Sequence, residues 1–465
     1  MRSDVVEASR AILRRTDWAK ALAGILPLST LIDFVDIPQH FHVFQLTGSA
    51  PFWSWPITPA NSRVLLSDTY LEKLCYLDRA TGSHSLVCLD GRYGDEYPLV
   101  NSNTVKLCLS SSAGLHTKIT NPSDNMNDAD NRVQRLTVIH VLRSWENPAA
   151  TRTGLGRILS GNHGGTYGLV STMGWLLWAT TTTAACILEY YIALASLIAV
   201  PLTGYVTWLI HGRRPRRLLK NCQSSTNRLV VVTPHMNATD WMVFFGEKHT
   251  INSLLNLPLE PESDVRNLGP FPVLRALLRI LVLAQWALAL GAASVQDWSA
   301  YFITFWAAVC MVSQSYLLRP HLLIGDWMKR HLRMEMRKYS TEVSSRVALL
   351  NTIMALNPDT FTRATAENVD TPKEFDTDGL SWIDPILKPT ALRTKWEKAT
   401  LAAMNSRGEV PGDDWKQKHR GVYGERGIWE GIQVANLIRD KAKLPGLQVP
   451  GCDKSIDSDP EEAAE

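Results

Sequence analysis

The residues best suited to chemistry in this sequence are His235 and Asp240, which stand five positions apart. They lie between two apolar runs that are typical of strands, Arg228–Thr233 and Trp241–Phe245. An imidazole titrates near neutral pH, and a carboxylate that orients it makes it a better proton acceptor. The same spacing also arises in a simple turn between two strands, where the carboxylate caps the segment that follows. Both interpretations are compatible with the sequence.

The segment from Pro234 to Asp240 resembles the first motif of the glycerolipid acyltransferase family. The resemblance implies that His235 is the general base toward an acceptor hydroxyl and that Asp240 orients and charges the imidazole. Other parts of that family's pattern are missing, since no Phe-Pro-Glu-Gly segment occurs and Pro234 replaces the asparagine before the histidine. We therefore predict no catalytic residues, with His235 and Asp240 as the catalytic alternative.

Two histidines, His40 and His42, alternate along a strand-like run and could share a metal ion. Spacing supplies no third ligand, so strand histidines with ordinary hydrogen bonds are the preferred interpretation. The seven cysteines form no Cys-x-x-Cys pair, and their number is odd. This pattern predicts a reducing compartment, with no disulfide framework and no zinc site. No metal and no cofactor are predicted for the chain.

These candidate residues follow a long apolar segment, Gly168–Ile210, which contains a single charged side chain. A membrane span needs about 20 mostly apolar residues, so the segment is too long for one helix and suits two. The polar groups of Glu189–Tyr191 favour the wet interface, which divides the segment into Gly168–Leu188 and Ile192–Ile210. The alternative is a buried helical hairpin in a soluble core, although such helices normally show a polar face.

Pro201 and a set of small residues indicate how these two helices pack. Pro201 is expected to kink the second helix without ending it, because a neighbouring helix can shield the freed carbonyl. Small side chains let two helices approach closely. They occur at Thr180–Thr183, Ala184 and Ala185 on the first helix, and at Ala195 and Ala199 on the second.

A second pair of apolar runs repeats this design. Leu281–Val295 and Trp298–Leu318 flank the polar residues Gln296 and Asp297. We expect a second membrane hairpin, whose first span reaches full length when the arginines before it snorkel. The alternative is an amphipathic pair that packs on the first hairpin or lies among the lipid headgroups.

Positive charge is concentrated at the open end of both hairpins. Lysine and arginine near span ends stay on the cytoplasmic side, so we expect both tips to face away from the cytoplasm and both termini to lie within it. A formal net charge of +3 argues against a nucleic-acid partner. The residues predicted to set this topology and to contact anionic headgroups are Arg213, Arg214, Arg216, Arg217, Lys220, Lys329, Arg330 and Arg333.

The sequence therefore predicts an α-helical integral membrane protein with about four transmembrane helices arranged as two antiparallel hairpins. A small N-terminal α/β soluble unit and a mainly helical C-terminal region complete this fold class. The predicted segments are the α/β unit (1–145), a glycine-rich linker (146–167), hairpin 1 (168–210), a cytoplasmic loop with two short strands (211–271), hairpin 2 (272–318), a basic amphipathic helix (319–356), the helical C-terminal region (357–446) and a disordered acidic tail (447–465).

Local patterns predict individual elements within these segments. Apolar residues at helical spacing predict helices over Val5–Arg15, Trp18–Val35, Leu322–Lys338, Ala391–Asn405 and Ile428–Lys443. Runs rich in valine, leucine and phenylalanine predict strands at His40–Leu46, Arg63–Leu66, Ser85–Leu89, Thr104–Leu109 and Leu136–Leu142.

Six phrases are spread over the chain between residues 228 and 446: Asn252–Leu259, Gln285–Trp306, Arg346–Phe361, Trp382–Leu387, Arg393–Thr400 and Glu430–Gly446. Together they resemble a family of multi-pass membrane proteins of filamentous fungi to which no activity is assigned. The resemblance implies a membrane location and a fungal source. The predicted function is a non-catalytic anchor or interaction protein in a lipid bilayer, with a protein partner on the cytoplasmic side. Acyl transfer and transport are the alternatives.

Overall fold

The structure is a computed structural model. It describes residues 7, 11, 13, 15–29, 37–48, 51–55, 75–80, 86–121, 133–144, 165–212, 216, 226–259, 271–362, 374–376, 378–406 and 424–444. These residues are mostly helical and also contain a seven-stranded sheet.

The helices are numbered in chain order. They are α1 (Asp17–Ser29), α2 (Ile37–Thr47), α3 (Tyr76–Ala80), α4 (Ser102–Ser111), α5 (Gly165–Ile187), α6 (Tyr191–Thr207), α7 (Lys248–Leu255), α8 (Phe271–Val295), α9 (Trp298–Val312), α10 (Pro320–Trp327), α11 (Arg346–Leu356), α12 (Ala391–Asn405) and α13 (Glu425–Ala442). Three of them run on into a π-helical turn, at Trp208–Gly212, Ser313–Leu317 and Met328–Leu332.

The strands are β1 (Val87–Asp90), β2 (Glu96–Pro98), β3 (His116–Lys118), β4 (Gln134–Arg143), β5 (Asn227–Thr233), β6 (Asp240–Glu247) and β7 (Met334–Val343). Their order across the sheet is β2-β1-β5-β6-β4-β7-β3. The pairs β3–β7 and β4–β6 are parallel, and the other neighbouring pairs are antiparallel.

The centre of the sheet is covered by helices on both faces. In β5, Leu229 and Val231 pack into one apolar cluster, whereas Val230 and Val232 pack into the other. This alternation follows from the two-residue repeat of a strand that is buried on both sides. Helices α11, α12 and α13 cover the first face, and α2, α4, α7 and α10 cover the second. We call the sheet and these two layers the α/β module.

A second body, the apolar bundle, consists of α5, α6, α8 and α9 together with α1 and residues 51–55. Helix α2 joins the two bodies because it is apolar on two faces. Phe41 and Phe44 pack into the core of the bundle, whereas Val43 and Leu46 pack toward the sheet.

Two of the predicted strands are helices in the structure. His40–Leu46 lies in α2, and Thr104–Leu109 lies in α4. Every residue of Phe41–Thr47 is buried, so this run has no periodicity that separates a helix from a strand. At the start of α4, two backbone amides donate to the carboxylate of Asp78, which lies at a distant position in the sequence.

The predicted basic helix over Leu322–Lys338 is wrong in its second half. Helix α10 passes into a π-helical turn, and Arg333 then adopts a left-handed backbone with φ 52°. Strand β7 begins at Met334, and from there buried and less buried side chains mostly alternate. Lys329, Arg333 and Arg337 recur every four residues, a spacing that fits one face of a helix and also one face of a strand. Pairing with β4 decides for the strand.

Other predicted elements are confirmed. Ser85–Leu89 overlaps β1, Leu136–Leu142 lies within β4, and Ala391–Asn405 is α12. Four predictions lie wholly or largely outside the described residues: Val5–Arg15, Arg63–Leu66, the linker 146–167 and the tail 447–465.

The sheet crosses the predicted domain boundaries. Strands β1 to β4 come from the segment 1–145, β5 and β6 from 211–271, and β7 from 319–356. These three segments therefore form one module. Pairing between strands so far apart in sequence leaves no local pattern that could have indicated it.

Candidate functional site

Within the part of the chain that the structure describes, three helices are long and apolar enough to cross a membrane: Tyr191–His211, Pro272–Val295 and Trp298–Leu317. The helices that begin at Pro272 and Trp298 form the second predicted hairpin, and the helix that begins at Tyr191 is the second helix of the first predicted hairpin. Helix α5 lies beside them and is less apolar than α6, because Thr180–Thr183 interrupt its hydrophobic residues. The composition of these helices is compatible with a membrane location.

Large apolar side chains lie on the outside of the bundle along the length of α8. Val273 and Ile280 are 62% exposed and Leu283 is 63% exposed, whereas Ala289 and Ala292 are buried. A helix on the surface of a soluble protein buries its large apolar residues and exposes polar ones. Helix α8 is apolar on its buried side and also exposes large apolar side chains on its outer side, which is typical of a helix that is surrounded by lipid.

Helix α1 shows the same arrangement, although the sequence suggested that it belongs to a soluble unit. Trp18 and Ile25 are exposed, whereas Ala19 and Ala23 are buried. The hydroxyl of Tyr301 on α9 donates to the carbonyl of Ala19 at 2.7 Å. Helix α1 is therefore part of the bundle.

Both hairpin turns fall where the sequence places them, so these predictions are confirmed. Leu188–Tyr190 separate α5 from α6, and Glu189 has a left-handed φ of 62°. Gln296, at φ 55°, and Asp297 separate α8 from α9. The Asp297 side chain accepts a hydrogen bond from the backbone amide of Ser299 and so caps α9.

Pro201 lies within α6, as predicted, and lacks the amide that would bond to the carbonyl of Leu197. The indole Nε1 of Trp178 on α5 donates to this carbonyl at 2.8 Å. A polar contact also joins the two hairpins, since Nε2 of Gln285 on α8 donates to Oγ1 of Thr203 at 2.8 Å. Neighbouring helices thus supply the polar partners that lipid lacks.

Replacing Trp178 with phenylalanine is expected to destabilise the bundle by about 1 kcal/mol. A smaller aromatic ring remains, but the Leu197 carbonyl loses its donor in an apolar setting. Trp286→Phe is the matched control, because Trp286 is 36% exposed on the outside of α8. Thermal unfolding in detergent measures the difference, and equal transition temperatures for the two variants would contradict this role of the indole.

A short turn from the N-terminal part of the chain, Phe52–Ser54, is embedded in the bundle. Trp53 is 1% exposed. It occupies the space left by Gly174 on α5, where a Cβ atom would lie 2.0 Å from the indole ring. The side-chain amide of Gln314 donates to the Ser54 carbonyl at 2.6 Å. The dense run of aromatic residues was the available sequence signal for this insertion.

The sequence candidates His235 and Asp240 lie in the turn between β5 and β6. Both are exposed, and no hydrogen bond or ion pair between them occurs among the described residues. The backbone amide of Asn237 donates to Nδ1 of His235 at 3.2 Å, and Asp240 pairs with Arg135 at 3.3 Å. Because Asp240 begins a strand, it does not cap a helix. This geometry is that of a turn, and no carboxylate of the described segments orients the imidazole.

The other predicted candidate, His42, is a buried structural residue on a helix. Its Nδ1 accepts a hydrogen bond from the Leu77 amide at 3.1 Å, and its Nε2 lies 3.0 Å from Oγ1 of Thr104. Burial, together with the nearby charge of Arg216, lowers the pKa of His42 to about 3, so the ring is neutral. The Thr104 hydroxyl donates in turn to Asp78, whose carboxyl pKa is raised by burial. No group of three or more potential metal ligands occurs in the described ranges.

Acidification is expected to destabilise the α/β module through His42. Between pH 6.5 and pH 3 the unfolded chain binds a proton at this histidine and the folded chain does not. The free energy of unfolding should therefore fall by up to about 1.4 kcal/mol per pH unit as the pH decreases through this range. Thermal unfolding from pH 7 to pH 4.5 measures the slope. In His42→Gln the dependence of the unfolding free energy on pH should be weaker, because only the opposite contribution of Asp78 to that dependence is retained. The same slope in the variant and in the wild type would exclude His42 as the cause.

The predicted headgroup contacts receive one correction. Arg216 is 6% exposed, and its guanidinium donates to the Leu259 carbonyl at 2.9 Å. Its side chain is therefore bonded within the protein and is not directed at lipid headgroups. Lys329 is exposed, and Arg333 ends the π-helical turn before β7. Arg213, Arg214, Arg217, Lys220 and the side chain of Arg330 lie outside the described residues.

The site that the structure offers is therefore the apolar bundle and not a constellation of polar side chains. The sequence identified four of its helices and missed α1 and the turn Phe52–Ser54. Comparison with protein-family models, with curated proteins and with solved structures finds no match to this chain.

Proposed function

We propose that the chain is a multi-pass membrane protein that anchors its α/β module at a bilayer surface and presents it to a protein partner. The apolar exterior of α8 carries this proposal, because large hydrophobic side chains along a whole helix are stabilised by lipid and not by water. The resemblance to fungal multi-pass membrane proteins points the same way. An exposed His235, held within its own turn, supports a binding role over acyl transfer.

In the proposed topology both hairpin tips lie on the far side of the membrane, and the module and both termini lie on the cytoplasmic side. Contacts at the open end of the first hairpin support this orientation. The rings of His211 and Phe41 stand 5.3 Å apart, so the end of α6 meets α2, whose other face packs toward the sheet. The sequence places its densest positive charge directly after this point.

Membrane fractionation and protease protection test the anchor. The full chain, tagged at both termini, should stay in the pellet after a carbonate wash of isolated membranes. Protease added to sealed vesicles with the cytoplasmic side outward should remove both tags. Recovery in the supernatant would refute the membrane location, and protection of the N-terminal tag alone would place α1 across the bilayer.

Proximity labelling from the termini, together with lipid analysis of a deletion strain, tests the role. We expect a recurrent protein partner and an unchanged lipid profile. An altered lipid profile that wild-type protein restores and His235→Ala does not restore would instead establish lipid acyl transfer.

A further inference from the structure

A cleft of about 630 Å³ separates α5 from α9 near the hairpin tips. Its volume falls in the range of pockets that hold small organic ligands. The walls are formed chiefly by Leu177, Thr180 and Ala184 on α5 and by Trp298, Phe302 and Phe305 on α9. The small residues of α5, which the sequence suggested as a site of close helix contact, therefore border an open space at Thr180 and Ala184, whereas Ala185 packs in the core.

Several hydroxyl groups of the cleft are already bonded within the protein. Oγ1 of Thr180 and Oγ1 of Thr181 donate to the carbonyl of Leu177 at 2.9 and 2.7 Å. The Tyr301 hydroxyl donates to the Ala19 carbonyl. A ligand with polar groups would lose its hydration in the cleft, and these hydroxyl donors are already engaged and cannot replace the lost hydrogen bonds. The lining therefore favours a hydrocarbon.

The cleft is continuous with the outer surface of the bundle. Phe305 forms part of its wall and is also 49% exposed. The turn residues Glu189 and Asp297, which favour the wet interface, lie close in sequence to the wall residues Leu188 and Trp298. A lipid whose headgroup stays at that interface could place its chain in the cleft from the side.

We propose that the cleft binds one acyl chain of a membrane lipid as an ordered ligand, which rests on the proposed membrane location. The chain would fill the space between the side chains of α5 and α9.

Photo-crosslinking tests this proposal in membranes that contain the full chain and a phospholipid with a diazirine in its acyl chain. Ala184→Phe fills the cleft, and Ala287→Phe adds the same ring on the exposed side of α8. Labelling of the peptide that contains Trp298–Phe305 should fall by about tenfold in Ala184→Phe and stay unchanged in Ala287→Phe. Thr180→Phe, on the same wall, should repeat the loss.

Equal labelling in all variants would show ordinary annular lipid and overturn the proposal. Preferential capture of a photoactivatable sterol at the same peptide, lost in Ala184→Phe, would overturn the assignment to an acyl chain. Carbonate extraction of each variant is measured first. Release of the wild-type chain from the membrane would refute the proposed function itself, whereas retained protein without site-specific labelling would refute the cleft alone.

Discussion

Leu283→Arg is expected to abolish stable membrane integration, whereas Leu392→Arg should leave it unchanged. The two leucines have similar exposure, 63% and 68%, but Leu283 lies midway along α8 and Leu392 lies on α12 of the α/β module. At the centre of a membrane helix an arginine costs about 2.5 to 3.5 kcal/mol on insertion scales. In water an exposed leucine can be replaced by arginine with an effect within about 0.5 kcal/mol.

Carbonate extraction followed by flotation measures the difference between these variants. Leu283→Arg should move to the soluble or degraded fraction, and Leu392→Arg should float with the membranes like wild type. If both variants float equally, the exposed face of α8 does not meet the hydrocarbon core. The pair compares one chemical change in two environments, so the general effect of adding a charge cancels.

Gly174→Leu is expected to displace Trp53 and destabilise the bundle by about 3 kcal/mol. The new side chain would have to occupy the position of the indole, since even its Cβ atom would lie 2.0 Å from the ring. Gly291→Leu is the matched control, because no heavy atom lies within 4 Å of a Cβ atom at that position. Both substitutions raise helix propensity, so their difference reports the clash alone.

Thermal unfolding in detergent and limited proteolysis near residues 51–55 measure this effect. Gly174→Leu should lower the transition temperature and expose the segment to protease, and Gly291→Leu should do neither. Removing the indole with Trp53→Ala should relieve part of the clash in the double variant. Identical behaviour of the two glycine variants would contradict a close contact between Trp53 and α5.

The hairpin turns could be predicted because their signal is local. A carboxylate and phenols at Glu189–Tyr191, and an amide and an acid at Gln296 and Asp297, interrupt otherwise apolar runs. Helix α4 could not be predicted in the same way. Its first turn is capped by Asp78, which lies more than twenty residues earlier. Strand β7 was missed for a related reason, since both hairpins lie between it and its partner β4 in the sequence.

The candidate site shows the same limit. The apolar helices could be identified from composition, but their packing on α1 and Trp53 depends on contacts between distant residues. Arg216 belongs to a basic cluster by sequence, yet the fold uses it to hold the Leu259 carbonyl. Charge density predicts where a segment lies relative to a membrane more readily than it predicts the partner of one guanidinium.

The strand order dictates when the sheet can be completed during synthesis. Strand β4 is synthesised before both of its neighbours in the sheet. Strand β6 is translated only after the first hairpin, and β7 only after the second hairpin. Both hairpins are therefore synthesised while β4 still has at least one unpaired edge, and such an edge is prone to aggregation. A chaperone that shields this nascent strand, or rapid translation through β7, would protect the chain in that interval.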